Sequence, residues 1–495
     1  MADKQENEMY ISEIIEMGDK FLAENEDLFI QRYKSIGPDD YANISYTSGT
    51  TADPKGILLT HRNYTANVEQ AHSVIGVGPQ DRMLIILPLD HCFAHVAGFY
   101  TMMSYGASIG TVPSGKTGKE ALRNIPISIK EFKPNVMLSV PTLAKNFKKN
   151  IETTIARSGK TVEKLYNFAL KNAIAYNKEG YNKGTQFVDI FRKPLMCLFD
   201  KIIFKKVREG LGGQMKFFVG GGALLDIDLQ RYYYAIGIPM YQGYGLSEAT
   251  PIISANSPAK HIFGSSGKVV SPMEIKILDA DGVEQPFGVK GEICIKGENV
   301  MAGYWKNPKS TADTIVDGWL HTGDMGYMRD AEMLYVVGRF KSLLIAADGE
   351  KYSPEGIEEN LVENSKYIDG ALLHNSQDPY TIALVTPNKE ALKKYAQELG
   401  LDPASQEAKE KMLLLIESEV NAYRKGGKFA GAFPDRWLPA AICVLPEPWT
   451  EQNHFLNSSM KVVRGRVEEA YKENMAYAYT TEGKSIINKM NLASL

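Results

Sequence analysis

The chain has 495 residues, a formal net charge of −3, 44% hydrophobic residues and 23% charged residues. This is the composition of a globular protein with room for two or three cores, because single cores stop growing near about 250–300 residues. The near-neutral charge excludes a general attraction to nucleic acid. The four cysteines show no CxxC or Cys/His spacing, which argues against a zinc site or disulfide framework and favours a reducing cytoplasm.

The first predicted element is a helix. "MADKQENEMY" lacks the pattern of a secretory signal, and no apolar run approaches the about 18 residues of a membrane-spanning helix. The following stretch, "ISEIIEMGDKFL", spaces apolar side chains at helical intervals. It predicts a surface helix whose apolar face packs on the body of the protein. From residue 41 to about 140, short apolar runs such as "MLIILPL" and "NVMLSVP" alternate with helical stretches, which predicts an α/β sheet.

A polar turn, "YTSGTTADPKG" at residues 46–56, separates the strand-like "YANISY" from "GILLTHRN". Its hydroxyl groups, its glycines and Lys55 are suited to holding phosphate groups. A Walker loop has the pattern GxxxxGK[ST]; here Pro54 precedes the lysine and Gly56 follows it, so a P-loop kinase or GTPase is excluded. The flanking strands disfavour a flexible linker.

Residues 145–213 form a basic, helix-rich insertion. They contain 15 Lys and Arg against six Asp and Glu, a net of +9, so the rest of the chain carries −12. A solvated helical face is the simpler interpretation of such a charge excess. Contact with an anionic membrane surface or a phosphorylated substrate is the alternative that the charge leaves open.

The next elements are strands. "MKFFVGGGALL" predicts a buried strand that ends at three glycines, where the backbone turns sharply or something approaches it closely. "MEIKILDADGVEQPFGVKGEICIKG" predicts a small antiparallel β unit, and "SLLIAADGEKYS" predicts a hairpin around Gly349. The change in pattern near "GRFKS" predicts two domains, which we place at residues 1–340 and 341–495.

Six motifs in order carry a specific resemblance. "YTSGTTADPKG", "GGGALL", "YGLSEAT", "GWLHTGD", "GRFKS" and "NSSMKVVRGRV" resemble the phosphate loop, adenine turn, adenine and magnesium motif, ribose motif, hinge and terminal lysine segment of the adenylate-forming superfamily. The chain is thus identified as a member of the superfamily that contains acyl-CoA synthetases, luciferases and peptide-synthetase adenylation domains. "SPEGIEENL" and the basic insertion most resemble long-chain fatty acyl-CoA synthetases of bacteria.

The resemblance implies a fold, a reaction and its substrates. The fold is α/β: a large N-terminal domain of α/β subdomains with a small β unit, followed by a small mobile α+β C-terminal domain. The reaction activates a fatty acid with ATP and Mg²⁺ to an acyl-adenylate and passes the acyl group to coenzyme A. No protein nucleophile is required, because such reactions are accelerated by positioning and charge neutralisation.

The resemblance also implies roles for individual residues. Catalytic roles fall to Lys461, Glu248 and Thr51, and Glu248 and Thr51 are also the implied magnesium ligands. Tyr244 is expected to stack on adenine, and Asp324 to bind the ribose hydroxyls. The complete implied nucleotide set is Thr47, Ser48, Gly49, Thr50, Thr51, Lys55, Gly221, Gly222, Ala223, Tyr244, Gly245, Asp324 and Arg339.

Three further positions concern the acyl group, coenzyme A and domain movement. His91, in "LPLDHCFAH", lies where relatives hold an aromatic or histidine side chain near the substrate carboxylate, although a histidine satisfied within the fold fits equally. The resemblance makes Lys341 the hinge and places Gly349 along the path of pantetheine, where a missing side chain matters. Asp90 is a weak pointer to an amino-acid substrate instead of a fatty acid.

Two departures from the family pattern stand out. Ala52 occupies a position that is commonly glycine, and it costs roughly 1 kcal/mol if the loop requires a positive φ there. Only 45 residues precede the phosphate loop, whereas family members have a longer portion there. Two alternatives to the acyl-CoA ligase therefore stay open. One is an adenylating enzyme that loads a carrier protein or activates another acid, and the other is a non-catalytic binder.

Overall fold

The computed structural model describes residues 8–47, 54–113, 115, 118–180, 183–339, 343–450, 452–456 and 462–495. The α-helices are α1 (Ile11–Ser35), α2 (His61–Val74), α3 (Thr101–Ser104), α4 (Gly118–Phe132), α5 (Pro141–Arg157), α6 (Lys160–Asn177), α7 (Asp189–Phe199), α8 (Lys205–Gly210), α9 (Ile227–Ala235), α10 (Pro308–Thr314), α11 (Glu355–Glu363), α12 (Lys389–Glu398), α13 (Gln406–Asn421), α14 (Arg464–Ala470), α15 (Lys472–Ala478) and α16 (Lys489–Ser494). Short π-helical segments span Ala94–Tyr100 and Asp200–Phe204, and 3₁₀ turns span Ser247–Ala249 and Asp435–Trp437.

The strands are β1 (Tyr41–Thr47), β2 (Lys55–Thr60), β3 (Arg82–Ile85), β4 (Ser108–Thr111), β5 (Val136–Ser139), β6 (Phe217–Gly220), β7 (Met240–Gly245), β8 (Ile252–Ala255), β9 (Gly267–Val269), β10 (Glu274–Leu278), β11 (Gly291–Lys296), β12 (Gly303–Tyr304), β13 (Ile315–Val316), β14 (Trp319–Met328), β15 (Met333–Arg339), β16 (Leu344–Ile345), β17 (Lys351–Tyr352), β18 (Ile368–His374), β19 (Ile382–Pro387) and β20 (Ala441–Val444). The predicted α/β class is confirmed.

A parallel sheet of order β4-β3-β5-β6-β7 forms the centre of the first part of the chain. The residues of β5 and β6 are all buried, as expected for strands covered on both faces. The order reverses between β3 and β5, and such a switch opens a crevice at the carboxyl ends of the strands. The predicted glycine turn follows β6 at this edge.

From β7 onward the sheet becomes antiparallel, in the order β7-β8-β9-β15-β14-β11-β10. The predicted antiparallel unit is present as β10 and β11, whose register pairs Ile275 with Ile295. It joins the large sheet through β14 instead of standing alone. A separate sheet of β1, β2 and β12 brings the strands around the predicted phosphate loop beside Tyr304.

The chain after residue 342 has its own buried clusters. The hairpin β16–β17 and the sheet β18-β19-β20 pack with α11, α12 and α13 around residues such as Leu361, Leu384 and Ile416. The buried clusters of the first part draw only on residues up to Leu334. This separation supports the division at residues 340 and 341, which stays a prediction. An ion pair between Lys145 of α5 and Glu363 of α11 joins the two parts.

Helix α1 forms where the periodicity predicts it, but the expected packing is wrong. None of its residues is buried, and Ile11, Ile14, Phe21 and Phe29 are all exposed. An amphipathic pattern specifies a helix with an apolar side and does not specify what that side contacts.

The start of α2 is fixed by a capping box in its own sequence. The Asn63 N–H donates to the Thr60 hydroxyl at 3.2 Å, and the Thr60 N–H donates to the Asn63 side-chain oxygen at 2.8 Å.

The basic insertion is helical, as predicted, and consists of α5, α6, α7 and α8. Tyr166 of α6 donates a hydrogen bond to the hydroxyl of Tyr232 in α9 at 2.9 Å, so the insertion is anchored in the main core. Among the residues that the structure describes, no helix combines the length and the apolar character that crossing a bilayer requires.

Candidate active site

The glycine turn after β6 exposes backbone at the carboxyl edge of the sheet. A Cβ atom on Gly221 would lie 3.1 Å from the ring of Phe93, and Gly222 has φ = +84°, so both positions favour glycine. The side chain of Gln242 holds the turn by donating to the carbonyl of Ala223 at 3.2 Å. Binding of an adenine ring at this turn stays a prediction.

Tyr244, Asp324 and Arg339 meet beside this turn. The Tyr244 hydroxyl donates to Asp324 Oδ2 at 2.6 Å, and Arg339 Nε lies 3.6 Å from Asp324 Oδ1. Asp324 and Arg339 are paired directly across β14 and β15. The structure therefore places three residues of the predicted nucleotide set in one contact group, although they are up to 95 positions apart (339 − 244).

Burial dominates the electrostatics of this group. Burial raises the pKa of Asp324 to about 6, although the Tyr244 hydrogen bond and the Arg339 charge act in the opposite direction. Burial and then the Asp324 charge raise the pKa of Tyr244. The Glu355 and Glu248 carboxylates also raise the pKa of Asp324. Glu248 and the start of α11 therefore lie within electrostatic reach of Asp324.

Hydrogen bonds between β11 and β14 stabilise the turn that contains Asp324. Glu292 accepts a hydrogen bond from the Gly323 N–H at 3.0 Å and lies 2.9 Å from His321 Nδ1. Thr322 donates its hydroxyl to a carbonyl of β11 at 2.7 Å and accepts the Asp324 N–H at 3.1 Å. Sequence reasoning missed Glu292, and the only signal was a charged residue inside the apolar strand "GEICIKG".

Glu292, Cys294 and His321 offer ligand atoms within 4.8 Å of one another. Burial, followed by the Glu292 charge, raises the pKa of Cys294 to about 12. Glu292 is already engaged by two partners. These contacts give Glu292 and His321 a role in supporting the turn.

A second contact group contains Glu248, Tyr304 and Lys55. The Tyr304 hydroxyl donates to Glu248 Oε1 at 2.9 Å, and Lys55 Nζ lies 4.8 Å from the centre of the Tyr304 ring. The backbone holds the same arrangement, since Met301 N–H donates to the Glu248 carbonyl at 2.9 Å and Trp305 N–H donates to the Gly56 carbonyl at 2.7 Å. Sequence reasoning missed Tyr304, which links the predicted magnesium carboxylate to the predicted phosphate lysine.

The predicted phosphate loop itself lies largely outside the described residues. This applies to Ser48, Gly49, Thr50, Thr51 and Ala52, and only the backbone of Thr47 is described. Thr47 pairs with Lys55 across β1 and β2, so the two ends of the loop are adjacent. The effect of Ala52 and the metal role of Thr51 stay predictions.

Gly245 and His91 have clear local surroundings. A Cβ atom on Gly245 would lie 2.0 Å from the carbonyl oxygen of Pro251, so a glycine is required there by the fold itself. His91 is exposed, and its Nδ1 atom accepts the N–H of Phe93 at 3.2 Å. The ring of Phe93 covers Gly221, which places His91 close to the glycine turn. The proposed contact with a substrate carboxylate is not tested by this geometry.

The remaining predicted residues belong to the C-terminal part. Gly349 lies in the turn between β16 and β17 with φ = +84°, and among the described residues, its two neighbours aside, no atom lies within 4 Å of the position that a Cβ would take. The structure does not bring Gly349 into either contact group. Lys341 and Lys461 lie outside the described residues, so the hinge and the catalytic lysine stay predictions.

A model of the AMP-binding enzyme family matches residues 2–305. Human long-chain-fatty-acid–CoA ligase 1 is 29% identical over 460 residues, which cover 90% of this chain and 62% of that protein. The chloroplastic long-chain-fatty-acid–[acyl-carrier-protein] ligase AEE15 of Arabidopsis thaliana is 26% identical, and the alignment covers 95% of this chain and 66% of that protein. The chain spans less than two thirds of the length of each of these relatives.

A solved structure shows the same fold. O-succinylbenzoate coenzyme A synthetase from Bacillus subtilis, in complex with ATP and magnesium ion, aligns with a TM-score of 0.57 and 22% identity. The alignment covers 88% of this chain and 71% of that chain. Together with the family match, this confirms the superfamily resemblance drawn from the six motifs.

Proposed function

The chain belongs to the AMP-binding enzyme family, and on that premise we propose that it activates a long-chain fatty acid with ATP and transfers the acyl group to coenzyme A. The observation that carries the proposal is the proximity of the two contact groups, since the Glu248 charge of one group acts on the Asp324 carboxylate of the other. Tyr244, Asp324 and Arg339 form one group, and Lys55 and Glu248 lie on either side of Tyr304 in the other. An adenosine moiety and a charged phosphate chain require these two chemistries side by side.

The residues present fit a magnesium nucleotide. Glu248 is half-buried and engages one oxygen with Tyr304, and a carboxylate of this kind suits Mg²⁺, which prefers oxygen ligands and retains several waters. Magnesium bound by Glu248 and Thr51 would neutralise charge on the phosphates. Lys55 and the hydroxyl groups of residues 47–51 would hold the β- and γ-phosphates, and Asp324 the ribose hydroxyls.

The proposed reaction has two steps, adenylation and thioester formation. In the first, a carboxylate oxygen attacks the α-phosphorus, and the bond to pyrophosphate breaks, giving acyl-adenylate and pyrophosphate. In the second, the coenzyme A thiolate attacks the acyl carbon and AMP leaves. Lys461 would neutralise charge that develops in the first step, and rotation at Lys341 would bring Gly349 toward the thiol path for the second.

The choice of a fatty acid rests on the relatives and on the basic helical insertion at residues 145–213. Similarity does not decide the acceptor, because one relative is named for coenzyme A and another, AEE15, for acyl carrier protein, at nearly equal identity. Transfer to a carrier protein is therefore the second candidate.

ATP–pyrophosphate exchange driven by acids from acetate to stearate tests the proposal. We expect exchange that increases with chain length, followed by thioester formation when coenzyme A is added. Exchange without thioester formation would instead favour the carrier-protein candidate. A folded protein that supports no exchange with any acid would favour the non-catalytic binder and refute the enzyme.

A further inference from the structure

The solvent-facing side of α7 is apolar. Phe187, just before the helix, is 81% exposed, and Phe191, Ile190 and Leu198 are 70%, 62% and 53% exposed. Positions 190, 191, 194 and 198 share one side of a helix with 3.6 residues per turn. The opposite side of α7 faces the main core, where Phe199 is buried. Helix α7 is therefore apolar on both sides, which in water is favourable only when the outer side is also covered.

The exposed apolar surface extends beyond α7. Ile202, in the π-helical turn that follows, is exposed, and so are Leu165 and Phe168 on the neighbouring helix α6. The ring of Phe168 meets the buried ring of Phe199 edge-on, with 5.8 Å between ring centres, so α6 packs against the inner side of α7. We call the exposed apolar side of α7 and its flanks the α7 face, comprising Phe187, Ile190, Phe191, Pro194, Leu198 and Ile202.

Lysines surround the α7 face. Residues 183–210 contain seven Lys and Arg and three Asp and Glu, a net of +4. Two of the acids are engaged internally, because Asp189 pairs with Lys178 and Arg192, and Asp200 pairs with Arg208. The exposed cations Lys193, Lys201, Lys205 and Lys206 therefore give the border of the face a positive charge.

We propose that the α7 face binds the surface of an anionic phospholipid bilayer, with Phe187 and Phe191 below the headgroups and the lysines among the phosphates. Apolar side chains with a basic border are the pattern of helices that lie in a membrane interface. A second copy of the chain is a poorer occupant, since two copies of this face would bring like charges together. The inference rests on the charge and exposure of α6 to α8 and does not require the proposed catalytic function.

Co-sedimentation of the full chain with vesicles tests the inference. We expect binding to vesicles of phosphatidylcholine mixed with phosphatidylglycerol, little binding to phosphatidylcholine alone, and loss of binding at high salt. Phe191→Ser should lower the partition coefficient about ten-fold. The double change Lys205→Gln and Lys206→Gln should lower it roughly 30-fold, because each cation near an anionic surface contributes about five-fold.

Matched controls lie elsewhere on the surface. Phe287 is 63% exposed in the loop between β10 and β11, and Lys393 and Lys394 are adjacent lysines on α12. Phe287→Ser and the double change Lys393→Gln and Lys394→Gln should leave vesicle binding unchanged. Equal losses in the controls would refute the assignment to the α7 face. Absence of vesicle binding, or a dimer abolished by Phe191→Ser, would overturn the lipid assignment.

Cys197 provides an independent readout. It is exposed on α7, whereas Cys92, Cys294 and Cys443 are buried, so a thiol-reactive, polarity-sensitive fluorophore reports from the α7 face. We expect its emission to shift to shorter wavelength with the anionic vesicles only. An unchanged spectrum while the protein co-sediments would mean that another surface makes the contact and would refute the inference. Neither measurement uses turnover, so an inactive protein that binds vesicles would disprove the proposed function alone.

Discussion

The parts of the chain before and after residues 340–342 differ in how they hold their functional candidates. Before that point, Tyr244, Asp324, Glu248 and Lys55 are fixed by direct contacts with one another or with Tyr304. After it, Gly349 lies in open space and Lys461 lies outside the described residues. The candidates before residue 340 thus form contact groups, whereas no described contact brings Gly349 to either group.

In the C-terminal part, Arg464 and Glu358 form a hydrogen-bonded group near the sequence position of Lys461. Arg464, three residues after Lys461, donates to Glu358 Oε1 and to the Leu373 carbonyl, both at 2.6 Å. Glu358 also accepts the Leu373 N–H at 2.6 Å. The described residues that follow Lys461 are therefore held by direct contacts within the C-terminal part. Substitutions before residue 340 should change nucleotide binding, and substitutions after residue 342 should change turnover or local stability.

The largest expected effect is that of Lys461→Ala. Loss of one group that stabilises transition-state charge typically costs about 10²- to 10³-fold in rate, and we expect at least about 10³-fold here. ATP–pyrophosphate exchange measures this, while calorimetric ATP binding should change by less than about three-fold. Thioester formation from supplied acyl-adenylate should be largely retained. Lys472→Ala, at an exposed position of α15, is the control, and equal loss of both half-reactions would refute separate roles for the two parts.

The second prediction concerns Arg464→Met. Burial raises the pKa of Glu358 even though Arg464 lowers it, so removing the arginine leaves a costly buried carboxylate. We expect a loss of about 3–5 kcal/mol in the free energy of unfolding of the C-terminal part, measured by urea denaturation. ATP binding should be unchanged. Adding Glu358→Gln should restore part of the loss, and Lys148→Met, which breaks a surface pair with Glu152, should cost less than about 1 kcal/mol.

The third prediction is the pH dependence of nucleotide binding. Asp324 has a pKa of about 6, and only its ionised form accepts hydrogen bonds from both ribose hydroxyls. ATP affinity should therefore fall as the pH decreases through about 6. Asp324→Asn should bind ATP roughly 10- to 100-fold more weakly and without this step. Isothermal titration calorimetry from about pH 5 to about pH 8, with wild type and variant side by side, measures both effects, because this range brackets the raised pKa.

The unfolding free energy of the free protein should respond in the opposite direction. Because the pKa of Asp324 is raised above its ordinary value of 3.8, protonation of Asp324 favours the folded state. This contribution is complete below a pH of about 4 and is lost as the pH rises through about 6. Asp324→Asn should remove this component of the pH dependence of unfolding. A wild-type affinity that is flat across a pH of about 6 would show that Asp324 does not bind the nucleotide through its ionised form.

What the sequence predicted correctly depends on local chemistry. The turn at Gly221 and Gly222 and the hairpin at Gly349 each follow from a few adjacent residues. Motif resemblance added Asp324 and Glu248 as candidates, which share no local pattern and whose roles stay predictions. Both kinds of signal can be read along the chain without knowledge of the packing.

What the sequence did not predict depends on contacts between distant positions. Tyr304 meets Glu248 across 56 positions, Glu292 supports Gly323 across 31, and Gln242 reaches back 19 positions to its partner in the glycine turn. Each supporting side chain is a common residue with no motif of its own. The same limit explains α1, whose periodicity predicted a helix correctly and its packing wrongly.

The smallest expected effect is that of Gly349→Ala, which separates two explanations of why residue 349 is a glycine. Its φ of +84° and open surroundings indicate that glycine is needed for backbone conformation, whereas the resemblance points to clearance for pantetheine. On the conformational explanation, Gly349→Ala slows thioester formation about five-fold, which corresponds to about 1 kcal/mol, and leaves adenylation unchanged. Gly349→Asn should be milder, because asparagine adopts positive φ more readily than alanine. Gly282→Ala, at φ = +78° with equally open surroundings, controls for general strain. A greater loss with asparagine than with alanine would show that side-chain volume near coenzyme A decides, and the C-terminal part would then approach the nucleotide site during thioester formation.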